Sequence, residues 1–123
     1  MGKRILLVED NDDIALVVKT TLTMRQYEVE VARDGVEGLR CAQSGEWDLI
    51  ILDVLMPEMD GHEVLARLRK DPELRGMPVA FFSAHMTEKD SQKALEMGAV
   101  AVQQKPFDPK QFVQQVGELL AKD

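Results

Sequence analysis

Short, continuous apolar blocks recur along this chain and are separated by amphipathic segments. The blocks occupy residues 5–8, 49–52, 79–82 and, more weakly, 100–102. Continuous apolar runs of this length are typical of strands that are buried on both faces of a sheet. A fifth segment, residues 28–32, alternates polar and apolar residues, which predicts an edge strand with one exposed side.

The segments that follow these strands carry the start and stop signals of helices. In the first helix, Val17 and Val18 fall on the predicted apolar stripe. Gly98 is expected to end the fourth helix, because glycine adopts the left-handed conformation that commonly closes a helix. The predicted capping residues of the five helices are, in order, Asn11 or Asp12, Asp34, Asp60, Thr87 and Asp108.

Five strands that alternate with five helices predict an α/β fold. Buried strands need cover on each face, so we expect a parallel sheet with right-handed crossovers and helices on both sides. A flavodoxin-like, doubly wound five-stranded sheet in the order 2-1-3-4-5 fits this pattern. Neither a repeat nor a linker interrupts the pattern, and residues 1–123 are expected to form one domain.

Charge and cysteine content narrow the function classes. The chain has 22 acidic and 15 basic side chains, and its net charge of -7 argues against direct binding to nucleic acid or to anionic membranes. Cys41 is the single cysteine, which excludes an internal disulfide and a cysteine-cage zinc site. The chain shows neither the apolar region of a signal peptide nor a run of about 18 apolar residues, so a cytoplasmic protein is predicted.

Reactive side chains follow the predicted strands. Glu9 and Asp10 follow the first strand, Asp53 the third, Ser83 the fourth and Lys105 the fifth. The carboxyl ends of parallel strands meet at one edge of a sheet, so these groups are expected to lie together. Clustered carboxylates repel one another and therefore favour the binding of a hard cation such as Mg²⁺. A metal ion and a lysine together can neutralise the charge of a phosphoryl group. Asp53 could then act as a nucleophile that forms an acyl phosphate.

Four motifs, in this order and at this spacing, resemble the receiver domains of two-component response regulators, including the single-domain chemotaxis type. The resemblance covers essentially the whole chain. The motifs are residues 5–10, residues 53–57 with Asp60-Gly61, Ser83-Ala84, and residues 105–107.

The resemblance implies roles for the acidic residues. Asp53 matches the phosphoacceptor, which takes a phosphoryl group from the phosphohistidine of a histidine kinase or a histidine phosphotransfer protein. Glu9 and Asp10 match the acidic pair that binds Mg²⁺ together with Asp53 and the backbone carbonyl of Leu55. The sequence is therefore expected to encode a magnesium-dependent phosphoacceptor.

The resemblance also implies a switch. Ser83 matches the hydroxyl that moves toward the phosphoryl group, and Lys105 matches the lysine that pairs with it. The bond between Lys105 and Pro106 is usually cis in this family. Val102 departs from the family, which commonly has Tyr or Phe there, so signal relay is expected to use loop movement after Ser83 or a different side chain.

Two further positions are expected to tune the lifetime of the phosphoryl group. Leu55 and His85 stand two places after Asp53 and Ser83, where family members set hydrolysis rates. An apolar Leu55 cannot position an attacking water, which predicts a comparatively long-lived phosphorylated form. His62 and His85 are otherwise expected to be exposed loop histidines, since neither has a second metal ligand at a supporting spacing.

The leading interpretation is a stand-alone phosphoacceptor switch, which is not an enzyme with an external product. Its output partner is expected to dock on the fourth helix, fifth strand and fifth helix, the usual output face of receivers. The first alternative is a receiver cut from a longer regulator with a DNA-binding or enzymatic module. An aspartyl-phosphate phosphatase is a less favoured alternative, because such enzymes require a second Asp at the position that Leu55 occupies here. A flavodoxin-type electron carrier is disfavoured, since acidic residues 9–13 would repel the phosphate of its cofactor.

Overall fold

Strands and helices alternate along the chain. The computed structural model describes residues 3–53, 61–83, 88–99, 101–104 and 109–121. The strands are β1 (Arg4–Val8), β2 (Glu28–Ala32), β3 (Leu49–Leu52), β4 (Val79–Ser83) and β5 (Ala101–Gln104). The helices are α1 (Asp12–Thr23), α2 (Gly35–Ser44), α3 (Gly61–Lys70), α4 (Glu88–Glu96) and α5 (Pro109–Ala121).

The strands form one parallel sheet in the order β2-β1-β3-β4-β5. This confirms the predicted flavodoxin-like arrangement. Strand order reverses between the central strands β1 and β3, where Val8 is paired with Leu52. The residues that follow these two strands, Glu9 and Asp53, therefore start side by side at the carboxyl edge of the sheet.

Apolar side chains cover both faces of the sheet. Alternate residues of β1, β3 and β4 point to opposite faces, which explains why each of these strands is apolar throughout. One apolar layer joins the sheet to α2, α3 and α4, through Ala42, Val64, Leu65, Leu68 and Ala94 among others. The second layer joins it to α1 and α5, through Ala15, Val18, Leu22, Phe112, Val116 and Leu120.

Two predicted capping residues begin their helices as expected. The Asn11 side chain accepts a hydrogen bond from the backbone N–H of Ile14 at 3.0 Å, at the start of α1. The Asp34 side chain accepts one from the N–H of Glu37 at 2.8 Å, at the start of α2. Both side chains satisfy N–H groups that the first helical turn leaves unpaired. Asp60, Thr87 and Asp108 lie outside the described residues.

The end of α4 is held from two sides. Gly98 has a φ of 99°, and the backbone N–H groups of Gly98 and Ala99 bond back to the carbonyls of Leu95 and Ala94. This is the predicted glycine closure. Arg69 of α3 also donates hydrogen bonds to the carbonyls of Gly98 at 2.9 Å, Met77 at 3.0 Å and Met97 at 3.4 Å. The guanidinium thus ties α3 to the segments that precede β4 and follow α4.

β2 forms an edge of the sheet, as predicted. Glu28 and Glu30 are exposed, whereas Val29 and Val31 are half-buried and pack on the layer beneath α1. The alternation of charged and apolar residues is typical of an edge strand that faces water on one side.

One local prediction is wrong. Val17 is 48% exposed, and Ala15 takes its place beside Val18 and Leu22 in the apolar layer under α1. The fifth strand is present as predicted, and as Ala101–Gln104 it continues past the apolar block of residues 100–102. It extends over two glutamines because its backbone pairs with β4 as far as Ser83. None of the helices in the described part of the chain has the length and apolar character needed to cross a bilayer.

Candidate functional site: an acidic cluster at the carboxyl edge of the sheet

Three carboxylates meet at the carboxyl edge of the sheet. Glu9 and Asp10 follow β1, and Asp53 follows β3. One carboxylate oxygen of each residue lies within 4.8 Å of the others. Glu9 is 1% exposed and Asp53 is 6% exposed, whereas Asp10 is exposed. The cluster therefore has a buried part and a side that is open to solvent.

Backbone hydrogen bonds between strands position the two buried acids. The N–H of Glu9 donates to the carbonyl of Ala32 at 2.9 Å, and the N–H of Asp53 donates to the carbonyl of Val8 at 3.0 Å. The N–H of Asn11 donates to the Glu9 carboxylate at 3.2 Å. The sheet itself, together with the start of α1, thus fixes where these carboxylates stand.

The electrostatics of this cluster favour a cation. Two negative charges no more than 4.8 Å apart repel each other by at least about 3.5 kcal/mol at an effective dielectric constant of about 20. Proteins relieve such repulsion by protonating a carboxylate or by binding a cation. The ligands offered here are all carboxylate oxygens, which suit hard cations such as Mg²⁺. Glu9, Asp10 and Asp53 could therefore hold a metal ion.

Of the other predicted site residues, the structure describes Ser83 and Val102. Ser83 is the last residue of β4, next to the strand that precedes Asp53, and its backbone is in register with Gln104. Val102 lies in β5 in register with Phe81. The remaining predicted positions lie outside the described residues: Leu55, His85, Lys105 and Pro106.

His62 differs from its prediction. It is not an exposed loop residue: it is the second residue of α3 and is 8% exposed. Its ring centroid lies 5.3 Å from that of Phe81, with the two rings tilted by 35°. A sequence signal for this burial does exist, because His62 stands three residues before the fully buried Leu65, on the same side of the helix.

Sequence similarity extends over most of the chain. Residues 5–117 match the family described as the response regulator receiver domain. The chain is 40% identical over 119 residues to the transcriptional activator protein IrlR of Burkholderia pseudomallei (strain 1026b), covering 97% of this chain and 51% of that protein. More generally, it spans about half the length of the curated relatives it matches.

Solved structures share the fold over nearly the whole chain. A response regulator receiver domain protein (CheY-like) from Methanospirillum hungatei JF-1 has a TM-score of 0.91 and 31% identity, covering 98% of this chain and 94% of that one. The receiver domain of sensor histidine kinase PA1611 from Pseudomonas aeruginosa PAO1 has a TM-score of 0.90 and 26% identity, covering 99% of this chain and 100% of that one. That structure holds a magnesium ion coordinated in the active site cleft.

Proposed function

Because this chain belongs to the receiver domain family of response regulators, we propose that Asp53 accepts a phosphoryl group and that the domain works as a switch. The donor is the phosphohistidine of a histidine kinase or of a histidine phosphotransfer protein. One observation carries the proposal: the carboxylates of Glu9, Asp10 and Asp53 meet within 4.8 Å at the carboxyl edge of the sheet.

The chemistry assigned to Asp53 is nucleophilic. One carboxylate oxygen attacks phosphorus, the P–N bond of the phosphohistidine breaks, and the P–O bond of an acyl phosphate forms. The electron pair of the broken bond returns to the imidazole nitrogen of the donor. Phosphoryl transfer depends mainly on positioning and on neutralising charge. The bond from the Asp53 N–H to the Val8 carbonyl supports the positioning, because it ties Asp53 to the sheet.

Mg²⁺ fits the acidic cluster. The proposed ligands are Glu9, Asp10 and Asp53, completed by the backbone carbonyl of Leu55. When bound, Mg²⁺ neutralises the carboxylates and the oxygens of the transferring phosphoryl group. The magnesium ion in the related PA1611 receiver domain supports this choice of metal.

Residues that follow β4 and β5 complete the proposed switch. The Ser83 hydroxyl is assigned to hydrogen-bond a phosphoryl oxygen, and the Lys105 ammonium to pair with the phosphoryl charge. The bond before Pro106 is assigned as cis by family resemblance. Because Val102 is not aromatic, the conformational signal is assigned to the segment after Ser83.

The phosphorylated form is proposed to be long-lived. Leu55 offers no polar group to orient a water for attack on the acyl phosphate, and His85 is the second position proposed to set this rate. A hydrolysis half-life of less than a few seconds would contradict the assignment.

The output is proposed to be the docking of a protein on the face formed by α4, β5 and α5. Several relatives of about twice this length are named transcriptional regulators. Their names support the alternative that this chain is the receiver of a longer regulator with its own DNA-binding or enzymatic module. In either case residues 1–123 act as a cytoplasmic switch without direct contact to nucleic acid or membrane, and the chemistry is confined to the chain's own phosphorylation and dephosphorylation.

A labelling experiment tests the assignment of Asp53. Incubation with Mg²⁺ and acetyl phosphate is expected to add one phosphoryl group, detected by intact mass and removed by hydroxylamine, which cleaves acyl phosphates. Asp53→Asn is expected to abolish the adduct. Asp13→Asn removes an exposed acid from the first turn of α1 and is expected to leave labelling intact. An adduct that persists in Asp53→Asn, or none in the unmodified protein at saturating donor, would refute the proposal.

A further inference from the structure

His62 is a polar side chain that is buried in the apolar layer beside Phe81. Among the described residues, neither of its ring nitrogens has a hydrogen-bond partner. A neutral imidazole has one N–H donor and one acceptor nitrogen, and each loses its bond to water on burial. Leaving such groups unpaired raises the free energy of the conformation that contains them, which is why buried polar groups are usually paired.

The imidazole packs on β4, which ends at Ser83 and is paired with β3, the strand that directly precedes Asp53. Its ring contacts Phe81, which is in register with Leu52 of β3. Asp53 directly follows Leu52, and Ser83 ends β4 two residues after Phe81. A rearrangement at the ends of β3 and β4 would therefore reach His62 through one side-chain contact.

The sheet-facing side of the first two turns of α3 is well packed. Val64 and Leu65 are fully buried in the apolar layer beneath α2, α3 and α4. An apolar ring at position 62 would suit this environment, since it would keep the contact with Phe81 without burying polar atoms. Packing alone therefore does not explain a histidine here.

We propose that His62 is a positioning residue that lowers the free-energy cost of switching. Its unpaired imidazole destabilises the conformation described here, and a conformation that gives the imidazole a hydrogen-bond partner or water becomes easier to populate. This inference rests on the proposed function, because phosphorylation of Asp53 is the event that selects the second conformation. A group that destabilises only one of two states strengthens the apparent affinity of any ligand that prefers the other state.

The test compares stability and switching in the same variants. Beryllofluoride with Mg²⁺ serves as a stable mimic of the phosphoryl group, and its apparent affinity is measured by calorimetry. His62→Phe keeps an aromatic ring against Phe81 and removes both nitrogens. It is expected to raise the urea midpoint of the free protein and to weaken the apparent affinity for beryllofluoride roughly five- to tenfold. His62→Leu is likewise expected to raise the urea midpoint and to weaken the apparent affinity for beryllofluoride.

Gln26→Gly is the matched control. Gln26 has a φ of 69° in the connection between α1 and β2, at the opposite edge of the sheet from Asp53. Glycine tolerates this left-handed conformation, so the substitution changes stability without altering beryllofluoride affinity.

The outcomes separate this inference from the proposed function. If His62→Phe and His62→Leu bind beryllofluoride as tightly as the unmodified protein, His62 does not influence the switch and the inference is wrong. It is equally wrong if both variants lower the stability of the free protein, because the imidazole then stabilises this conformation. If the unmodified protein itself fails to bind beryllofluoride with Mg²⁺, the proposed function fails and the inference falls with it.

Discussion

Burial strengthens the electrostatic repulsion between two carboxylates of the acidic cluster. Glu9 and Asp53 are shielded from water and held by the sheet, so their mutual repulsion is weakly screened. Asp10 is exposed and leaves the cluster open on one side. A cation that enters from this side therefore meets carboxylates that are already in place.

Magnesium is accordingly expected to stabilise the fold. At a free concentration ten times the dissociation constant, a ligand that binds only the folded state adds about 1.4 kcal/mol to the free energy of unfolding. Thermal unfolding with and without MgCl₂ measures this effect. Asp53→Asn is expected to lose most of the magnesium-dependent rise in Tm and, in EDTA, to be more stable than the unmodified protein by about 1 kcal/mol, since one repelling charge is gone.

Asp13→Asn provides the comparison for magnesium, because Asp13 lies in the first turn of α1 and outside the acidic cluster. It is expected to keep the full magnesium response. Equal responses in Asp53→Asn and the unmodified protein would show that the ion binds elsewhere.

At the scale of elements, one glycine determines how closely α2 approaches β1. A Cβ atom at Gly38 would lie 2.7 and 2.9 Å from the two methyl carbons of Val8. Alanine favours a helix over glycine by up to about 1 kcal/mol, but overpacking a rigid core costs about 1–3 kcal/mol. Val8 is fully buried and β-branched, so the cost of overpacking is expected to exceed the gain in helix propensity. Gly38→Ala is expected to lower the free energy of unfolding by roughly 1–2 kcal/mol in urea titrations.

Val8→Ala tests the cause of this loss. In the Val8→Ala background the new methyl group has room, so Gly38→Ala is expected to cost much less, and the double-mutant cycle measures the difference. Gly76→Ala is the control, because nothing lies within 4 Å of a Cβ placed there. A cost that is the same in both Val8 backgrounds would rule out the clash as its source.

The guanidinium of Arg69 joins three segments of the chain by donating hydrogen bonds to backbone carbonyls. It donates to the carbonyls of Met77, Met97 and Gly98, and burial lowers its pKa from the usual value. Arg69→Met keeps the apolar stem and loses these hydrogen bonds. The expected loss of unfolding free energy is about 2 kcal/mol, measured by urea unfolding.

Arg67 supplies the matched position on the same helix. It forms an exposed ion pair with Glu63 at 3.4 Å, and such pairs contribute less than about 1 kcal/mol. Arg67→Met is therefore expected to be nearly neutral. If Arg69→Met proved equally neutral, the three carbonyl contacts would contribute nothing measurable to stability.

Most of the element pattern follows from local sequence. Apolar blocks predicted the buried strands, and because the strands are parallel, their following residues Glu9, Asp10 and Asp53 were correctly predicted to converge. The extension of β5 was missed because backbone pairing with β4 overrides the polarity of Gln103 and Gln104.

Features that depend on distant parts of the chain were not predictable in this way. Helical spacing from Leu65 predicts that His62 lies on the buried side of α3, but it does not predict the contact with Phe81, which is 19 positions away in the chain. Arg69 contacts Gly98 across 29 positions. Local periodicity predicts which side of a helix is buried, but it does not identify the residue that the side chain meets.

At the scale of the whole molecule, both apolar layers share the same strands. Leu6 and Val8 face one layer, whereas Ile5 and Leu7 face the other. Loss of either layer therefore exposes the strands that support the second. This arrangement favours unfolding as a single cooperative unit.

Trp47 allows this cooperativity to be measured. It is buried in the layer beneath α2, α3 and α4, its indole N–H donates to the Cys41 carbonyl at 3.0 Å, and the Arg4 guanidinium lies 4.5 Å from its ring centre. Its fluorescence reports that layer, whereas far-UV circular dichroism reports the helices of both layers. The two urea transitions are expected to coincide. Separate midpoints would show that the layers unfold independently.

The exposed glutamates of β2 also bear on how the molecule behaves in concentrated solution. Two copies that approach edge to edge would bring Glu28 and Glu30 of each strand close to the same acids of the other. Like charges along an open strand oppose the growth of intermolecular sheets, the route by which unprotected edges aggregate. Self-association through this edge of the sheet is thus electrostatically opposed, and added salt should weaken that protection.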